Sequence, residues 1–313
     1  VAVSRACRIA RIGLTTADID RLEAFYRSVF GFERVAAEAL DGPDFAGLMD
    51  VRGTGARRTV LRLGRQEISL LAFAGGARPY PLPAAANDPW FQHMAIVVSD
   101  MNDAYARLRA HAGWSPVSRD GPQRLPARSG GVTAFKFRDP DGHPLELLEF
   151  PSGAAPPAWS SSADADGVFR GIDHSAIVVK DGTRSLDFYR LLLGFVPRAT
   201  TLNRGPEQQA LDAVDAPVVE VTALQLPGAP PPHLELLCYR GPGRARAALR
   251  FHSNDVAATR LELAVDDVAA ITAVLAGAGV EFVSPPAVAL GGGRVAAHVV
   301  DPDGHHVLLT SGG

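Results

Sequence analysis

The sequence predicts an α+β protein built from four related modules, each a strand, a helix and then several strands. Two self-similarities and the periodicity inside each unit carry this reading. RIGLTTADIDRLEAFYRSVFGF from Arg11 matches HSAIVVKDGTRSLDFYRLLLGF from His174, with Phe-Tyr-Arg and Gly-Phe at equal offsets. HMAIVVSDM from His93 matches RLELAVDDV from Arg260; each leads into an amphipathic helix closed by glycine (Gly113, Gly279) and later into DPDGH, at Asp139 and Asp301. Modules one and three are therefore relatives, as are two and four, and the chain reads as a duplicated pair.

Module two shows the elements most clearly. His93, Ala95 and Val97 alternate with Met94, Ile96 and Val98, the period of a strand. Asp100 is placed to cap a helix in which Met101, Tyr105, Leu108 and Ala112 share a face, and Gly113 ends it. DPDGH is a hairpin turn, with Pro and Gly setting the backbone and Asp bonding locally. It positions the last strand, LELLEF, where Glu146, Leu148 and Phe150 share a face; in module three LELLCY does the same with Glu235, Leu237 and Tyr239. Module one has ISLLAF there, with Ser69 at the glutamate position, and module four has HVLLTS, with Leu308.

Pro-, Gly-, Ala- and Ser-rich segments from Ala74, Pro151 and Arg240 separate the modules and are expected to punctuate rather than pack. The middle one, with Ser160–Ser162 and Asp164–Gly167, divides the chain into halves 1–152 (modules 8–73 and 91–150) and 170–313 (modules 171–239 and 258–311), with 153–169 as linker.

A net charge of −3 over 313 residues offers no field to hold a phosphate backbone, so the expected partner is a small-molecule substrate and not nucleic acid. Apolar runs are of strand length and the first residues lack a signal-peptide core, so no membrane partner and a cytoplasmic location are expected. Cys7 and Cys238 form no motif and are expected to be buried apolar filler. Four modules make one chain self-sufficient, as a monomer or a homodimer.

At the first-strand position the modules carry Arg11, His93, His174 and Arg260; at the last-strand position they carry Ser69, Glu146, Glu235 and Leu308. Modules two and three keep both His and Glu, while one and four lack both. Independent surface drift does not lose such residues in pairs, so His93, Glu146, His174 and Glu235 are the candidate ligands of one divalent ion, Zn, Ni, Co, Mn or Fe, with about two positions left open on a six-coordinate metal. His233 shares the strand face of Glu235 and, with Tyr239, is a candidate substrate contact; Trp90 and Phe91 are expected in the core. His143 and His305, in turns, are expected to face solvent, and His111, His252, His298 and His306 have no partner pattern.

The four βαβββ-type modules, the strand-start histidine, DPDGH and the glutamate after it resemble the vicinal oxygen chelate superfamily of glyoxalase I, extradiol dioxygenases and bleomycin-resistance proteins, over nearly the whole chain. The resemblance implies curled sheets pairing two modules around a metal, as open barrels or cups. Two pairings are open. Modules two and three in one cup would assemble the 2-His-2-Glu set of glyoxalase I, leaving Arg11, Ser69, Arg260 and Leu308 in a second cup that is expected to be a packed structural site. Modules one with two and three with four would follow the dioxygenases, but with no 2-His-1-carboxylate triad. The implied function is a glyoxalase I-like lyase or isomerase acting on a small vicinal-oxygen substrate through a metal-stabilised enediolate, with Glu146 or Glu235 moving the proton; glutathione is an implied co-substrate, although no residues spell a site for it. An Fe(II) extradiol-type ring-cleavage dioxygenase and a non-catalytic binding or resistance protein are the alternatives.

Overall fold

The computed structural model describes residues 5–160, 167–240, 246–247 and 249–311. The boundary expected between Ser160 and Gly167 falls largely on 161–166, outside the described residues. Module one supplies β1 (Ala6–Thr15), α1 (Ile19–Phe30), β2 (Glu33–Leu40), α2 (Gly42–Met49), β3 (Ala56–Leu63) and β4 (Gln66–Phe73). Module two supplies β5 (Gln92–Val98), α3 (Met101–Arg109), β6 (Ser115–Pro116), β7 (Gln123–Arg124), β8 (Thr133–Arg138) and β9 (Pro144–Glu149), and the linker forms α4 (Pro157–Ser160). Module three supplies β10 (Phe169–Val178), α5 (Gly182–Asp187), which runs on through a π-type turn, β11 (Val196–Arg204), α6 (Pro206–Asp212), β12 (Val218–Gln225) and β13 (His233–Tyr239). Module four supplies β14 (Arg260–Val265), α7 (Val268–Gly277), β15 (Val288–Ala289), β16 (Val295–Val300) and β17 (His306–Ser311).

Each sheet takes one module from each half of the sequence. An 8-stranded sheet, β15-β16-β17-β14-β1-β4-β3-β2, joins modules four and one; a 9-stranded sheet, β11-β12-β13-β10-β5-β9-β8-β6, joins three and two, with β7 on β8. The seams are antiparallel, and their registers correspond. Across β10 and β5, His174 faces Ala95 and Ala176 faces His93; across β1 and β14, Arg11 faces Glu262 and Gly13 faces Arg260. The residue correspondences read from the repeats therefore hold in space. Among the described residues no strand pairs module one with two, or three with four, in a sheet.

The halves cohere through their outer faces instead. Met94, Ile96 and Val98 of β5 pack with Leu22, Tyr26 and Phe30 of α1 in one core, and Ile177, Tyr189, Leu263 and Ile271 share the other. The two repeated motifs meet there: Tyr26 and Tyr189, from the Phe-Tyr-Arg runs, donate to Asp139 Oδ2 and Asp301 Oδ2, each at 3.1 Å, inside the DPDGH turns. An aspartate caps the first helix of every module, Asp18, Asp100, Asp181 and Asp267, a device with a typical value of about 1 kcal/mol. No helix among the described residues is long and apolar enough to cross a membrane.

Several expectations are corrected. The helix α3 ends at Arg109, one turn before the anticipated Ala112, because its last carbonyls bond the amides of Ala110 and His111 as the chain turns. His143 and His305 are buried, since the DPDGH turns fold onto segments outside their own modules: His143 spans Asp139 Oδ2 (2.8 Å) and the Val256 carbonyl (3.1 Å) of the other half, and His305 reaches the Val178 carbonyl (2.8 Å) at the end of β10. Cys7 is exposed, on the outer end of β1, with Asp266 beside it; partial burial and that carboxylate push its thiol up to about 11. The linkers do pack, burying Tyr80, Trp90 and Trp159.

Candidate metal centre

Strand alternation aims the candidate residues into the concave face of the 9-stranded sheet, because Met94, Ile96 and Val98 take the outer core and leave His93 and Ala95 inward. On neighbouring strands, Ala95 pairs with Glu146 and Ala176 with Glu235. The result is a cluster in which His93 Nε2 lies 2.7 Å from Glu146 Oε2, while His174 Nε2 lies 3.9 Å from Glu146 Oε2 and 3.6 Å from Glu235 Oε2. His93, Glu146 and His174 each offer a ligand atom, all within 4.8 Å of one another. His233 stands beside them, its Nε2 3.5 Å from Glu235 Oε1, and Tyr239 lines the same cavity, of about 550 Å³. All six site residues expected from the sequence thus come together.

Three imidazole nitrogens of this cluster lack partners. His93 and His174 are almost fully buried, yet both ring nitrogens of His93 and Nε2 of His174 make no hydrogen bond of acceptable geometry. Buried donors and acceptors are normally satisfied, and an unpaired one costs about 1–3 kcal/mol. Imidazole nitrogens and carboxylates converging without mutual hydrogen bonds fit a divalent cation. Asp173 orients the ring of His174 from behind, with Oδ2 3.0 Å from Nδ1, and its Oδ1 accepts the indole N–H of Trp159 at 2.6 Å. This is the carboxylate support that metal-binding imidazoles commonly have. Trp159 comes from the linker, and Gly171 makes room for it: a Cβ there would meet the indole Cη2 at 2.9 Å.

Sequence reading missed Asp173, Trp159 and Lys136. Asp173 adjoins His174, and Lys136 is a lone charge between Phe135 and Phe137, the signals in the chain that point to them. Lys136 is 4% exposed and bonded to Asp212 Oδ1 at 2.7 Å. Burial opposes its ammonium, but Asp212, Glu146 and Glu235 outweigh that and raise its pKa.

Charges in the cluster are mutually held. Burial works against ionised Glu146, but Lys136 and His93 outweigh it and lower the carboxyl; Glu235, likewise opposed by burial, is held far below the usual range by His174 and His233. Burial depresses His93, with Glu146 offsetting only part. For His174 burial is outweighed by Glu235, Asp173 and Glu146, which push it up to about 9. An incoming divalent ion must displace the His174 proton but finds His93 neutral. Metal affinity should therefore rise about tenfold per pH unit up to about pH 9 and then level off. In the metal-free chain the folded pKa lies above the unfolded value of about 6.5. That stabilisation is complete below about 6.5 and is lost as pH rises through about 9. Chelator-competition titrations across this range measure the first effect and denaturant unfolding of chelator-treated protein the second; a pH-independent affinity would contradict both.

The equivalent cup of modules one and four is filled. Ser69 donates to Glu262, Arg11 lies 3.8 Å from Glu262 Oε2, and a Cβ on Gly13 would sit 2.8 Å from Glu262 Oε1. Arg260 is fully buried, donating to the Ser253 and Ala258 carbonyls and to Thr15 Oγ1. Phe45, Leu48 and Met49 of α2 occupy the hollow against Phe73 and Leu308. This is the packed structural site expected of it. His298 and His306 form a buried pair at 2.9 Å, with His298 facing Leu308 across the strand pair.

Two curled, open sheets, each made of two strand–helix–strands modules, with one cup bearing a His/Glu cluster, define a glyoxalase-type architecture. The chain belongs to the glyoxalase/bleomycin resistance protein/dioxygenase superfamily, whose family model matches residues 8–147 and 171–309. Among solved structures it is similar to glyoxalase I from Zea mays, at a TM-score of 0.63 and 19% identity over 98% of this chain and 92% of that one. It is also similar to a putative dioxygenase from Bacillus subtilis, at a TM-score of 0.60 and 14% identity over 98% and 86%. At such identities the likeness is one of fold. No curated protein matches the sequence.

Proposed function

We propose that this chain is a divalent-metal-dependent enzyme of glyoxalase I-like lyase or isomerase type, acting on a small substrate with oxygens on neighbouring carbons. The observation that carries the reading is the convergence of His93, Glu146, His174 and Glu235, with three unpartnered imidazole nitrogens, at the floor of one cavity. An ion held by these four residues would supply Lewis acidity toward two adjacent substrate oxygens. The chain's own residues divide the remaining work. Glu146 is the fixed carboxylate, with an 8% exposed side chain between His93 and Lys136, while Glu235, at 21%, faces the cavity and is the proton carrier. A carboxylate beside two adjacent carbons takes a proton from one and returns it to the other, a net isomerisation that consumes no oxidant. Apolar walls from Leu125, Leu148, Val221 and Leu237 keep water from the site.

The sheet pairing favours this reading over ring cleavage, because modules two and three share the cup. The test assays metal-reconstituted protein on hemithioacetals of 2-oxoaldehydes and on catechols, with oxygen uptake recorded. Metal-dependent turnover of a hemithioacetal or a related hydroxycarbonyl without oxygen uptake is the expected outcome. Oxygen consumption with catechol would establish a dioxygenase instead, and tight ligand binding without metal or turnover would leave a binding protein.

A further inference from the structure

We propose that Lys136, backed by Asp212, forms an anion-reading subsite beside the four-residue cluster, so that the site takes a substrate whose chelating end carries an acidic oxygen, a carboxylate or an enol, on an apolar body. This rests on the function proposed above and names its substrate class. Lys136 lies opposite Glu146 in the β8–β9 register and lines the cavity. Its ammonium has three donors, and among the described residues only one is used, on Asp212 Oδ1. Asp212 does not depend on Lys136 for its place, since Oδ2 accepts from Gln208 Nε2 (2.7 Å) and the Tyr239 hydroxyl (2.9 Å). Gln208 adds a buried Oε1 with no partner, an acceptor on the same wall.

The filled cup shows that the scaffold does not need this polar group. His298 faces Leu308 as Lys136 faces Glu146, and Phe73 stands four residues after Ser69 as Tyr239 stands four after Glu235. Gly42-Pro43 and Gly205-Pro206 open equivalent helices at the offset that separates Arg11 from His174, which places Phe45 and Met49 where the other cup has Gln208 and Asp212. Apolar residues pack three of the four positions without loss of the fold, whereas a buried ion pair carries a desolvation cost that packing alone does not require. The charged wall occurs in the cup that carries the His/Glu cluster.

The test uses cobalt-loaded protein, titrated calorimetrically with 3-phenyllactate and with 1-hydroxy-3-phenylacetone. Both have a phenyl body and vicinal oxygens, and only the first is an anion. The wild-type affinity ratio includes the ion's own preference for charge, so the quantity read is the change in that ratio. Lys136→Met should lower it about tenfold or more, the loss of one charge-assisted hydrogen bond, and Lys136→Arg should restore part of it. The double variant Lys136→Met/Asp212→Asn removes the stranded carboxylate charge and should match the single variant if the fold is intact. An unchanged ratio in cobalt-retaining variants would overturn the subsite alone. Loss of cobalt from all three variants would also overturn it, by making Lys136 a support of the ion. A wild-type protein that holds no cobalt overturns the functional reading and this one with it, and cobalt content separates these failures.

Discussion

The double variant His93→Ala/His174→Ala is expected to lose its divalent ion, with affinity lowered on the order of 10⁴-fold. The estimate follows from the ligand number: a four-ligand site binds with roughly 10–16 kcal/mol, so each imidazole contributes on the order of 3 kcal/mol, or about 100-fold. Each single variant should therefore show about a 100-fold loss. Elemental analysis of gently purified protein reads the content, and competition with a chromogenic chelator reads the affinity. The internal repeat supplies a control, because Arg11 occupies in the filled cup the register position that His174 has in the open one. Arg11→Ala should leave metal content unchanged. One ion per chain retained in the double variant would place the metal elsewhere and remove the basis of the proposed function.

Glu235→Gln should cost about 10²–10⁴ in kcat, the usual worth of a positioned general base, with KM changed far less. The amide keeps the size of the side chain and a contact to His233, 3.5 Å from Oε1, but cannot take a proton. Affinity for the ion should also fall, so the assay is run at saturating metal with occupancy measured. Glu146→Gln should behave differently. Glu146 lies 2.7 Å from His93 and opposite Lys136, so removing its charge leaves the buried Lys136 ammonium with Asp212 as its near carboxylate and weakens the ion's site and the fold together. A Glu235→Gln enzyme within threefold of wild type at full occupancy would assign the proton transfer to another group.

Much of the site was legible because strand alternation is local. Once His93 is placed opposite Met94, and Glu146 in phase with Leu148 and Phe150, the inward faces follow from a period of two, and the repeats show which modules keep both ligand types. The supporting residues were not legible, because they join distant segments. Lys136 meets Asp212 across 76 positions, and Trp159 reaches Asp173 from a linker whose composition reads as a spacer. The buried histidines of the DPDGH turns are illegible for the same reason: a turn looks exposed until a distant segment folds over it, as the Val256 and Val178 carbonyls do on His143 and His305.

The sequence by itself determined four strand–helix–strands modules, their relatedness and the four inward positions of each ligand type. Only the tertiary structure decided which modules share a cup. All four first strands are apolar and alternate alike, so local pattern allows either seam. The choice falls to long-range packing, in which α1 and its Tyr26 dock on the turn of module two while β5 is left to pair with β10, and that pairing sets His93 and His174 over one cavity. The other cup closed because α2 carries Phe45 and Met49 into it, and whether a helix fills a hollow depends on side-chain volume and distance in space, which periodicity along the chain does not record.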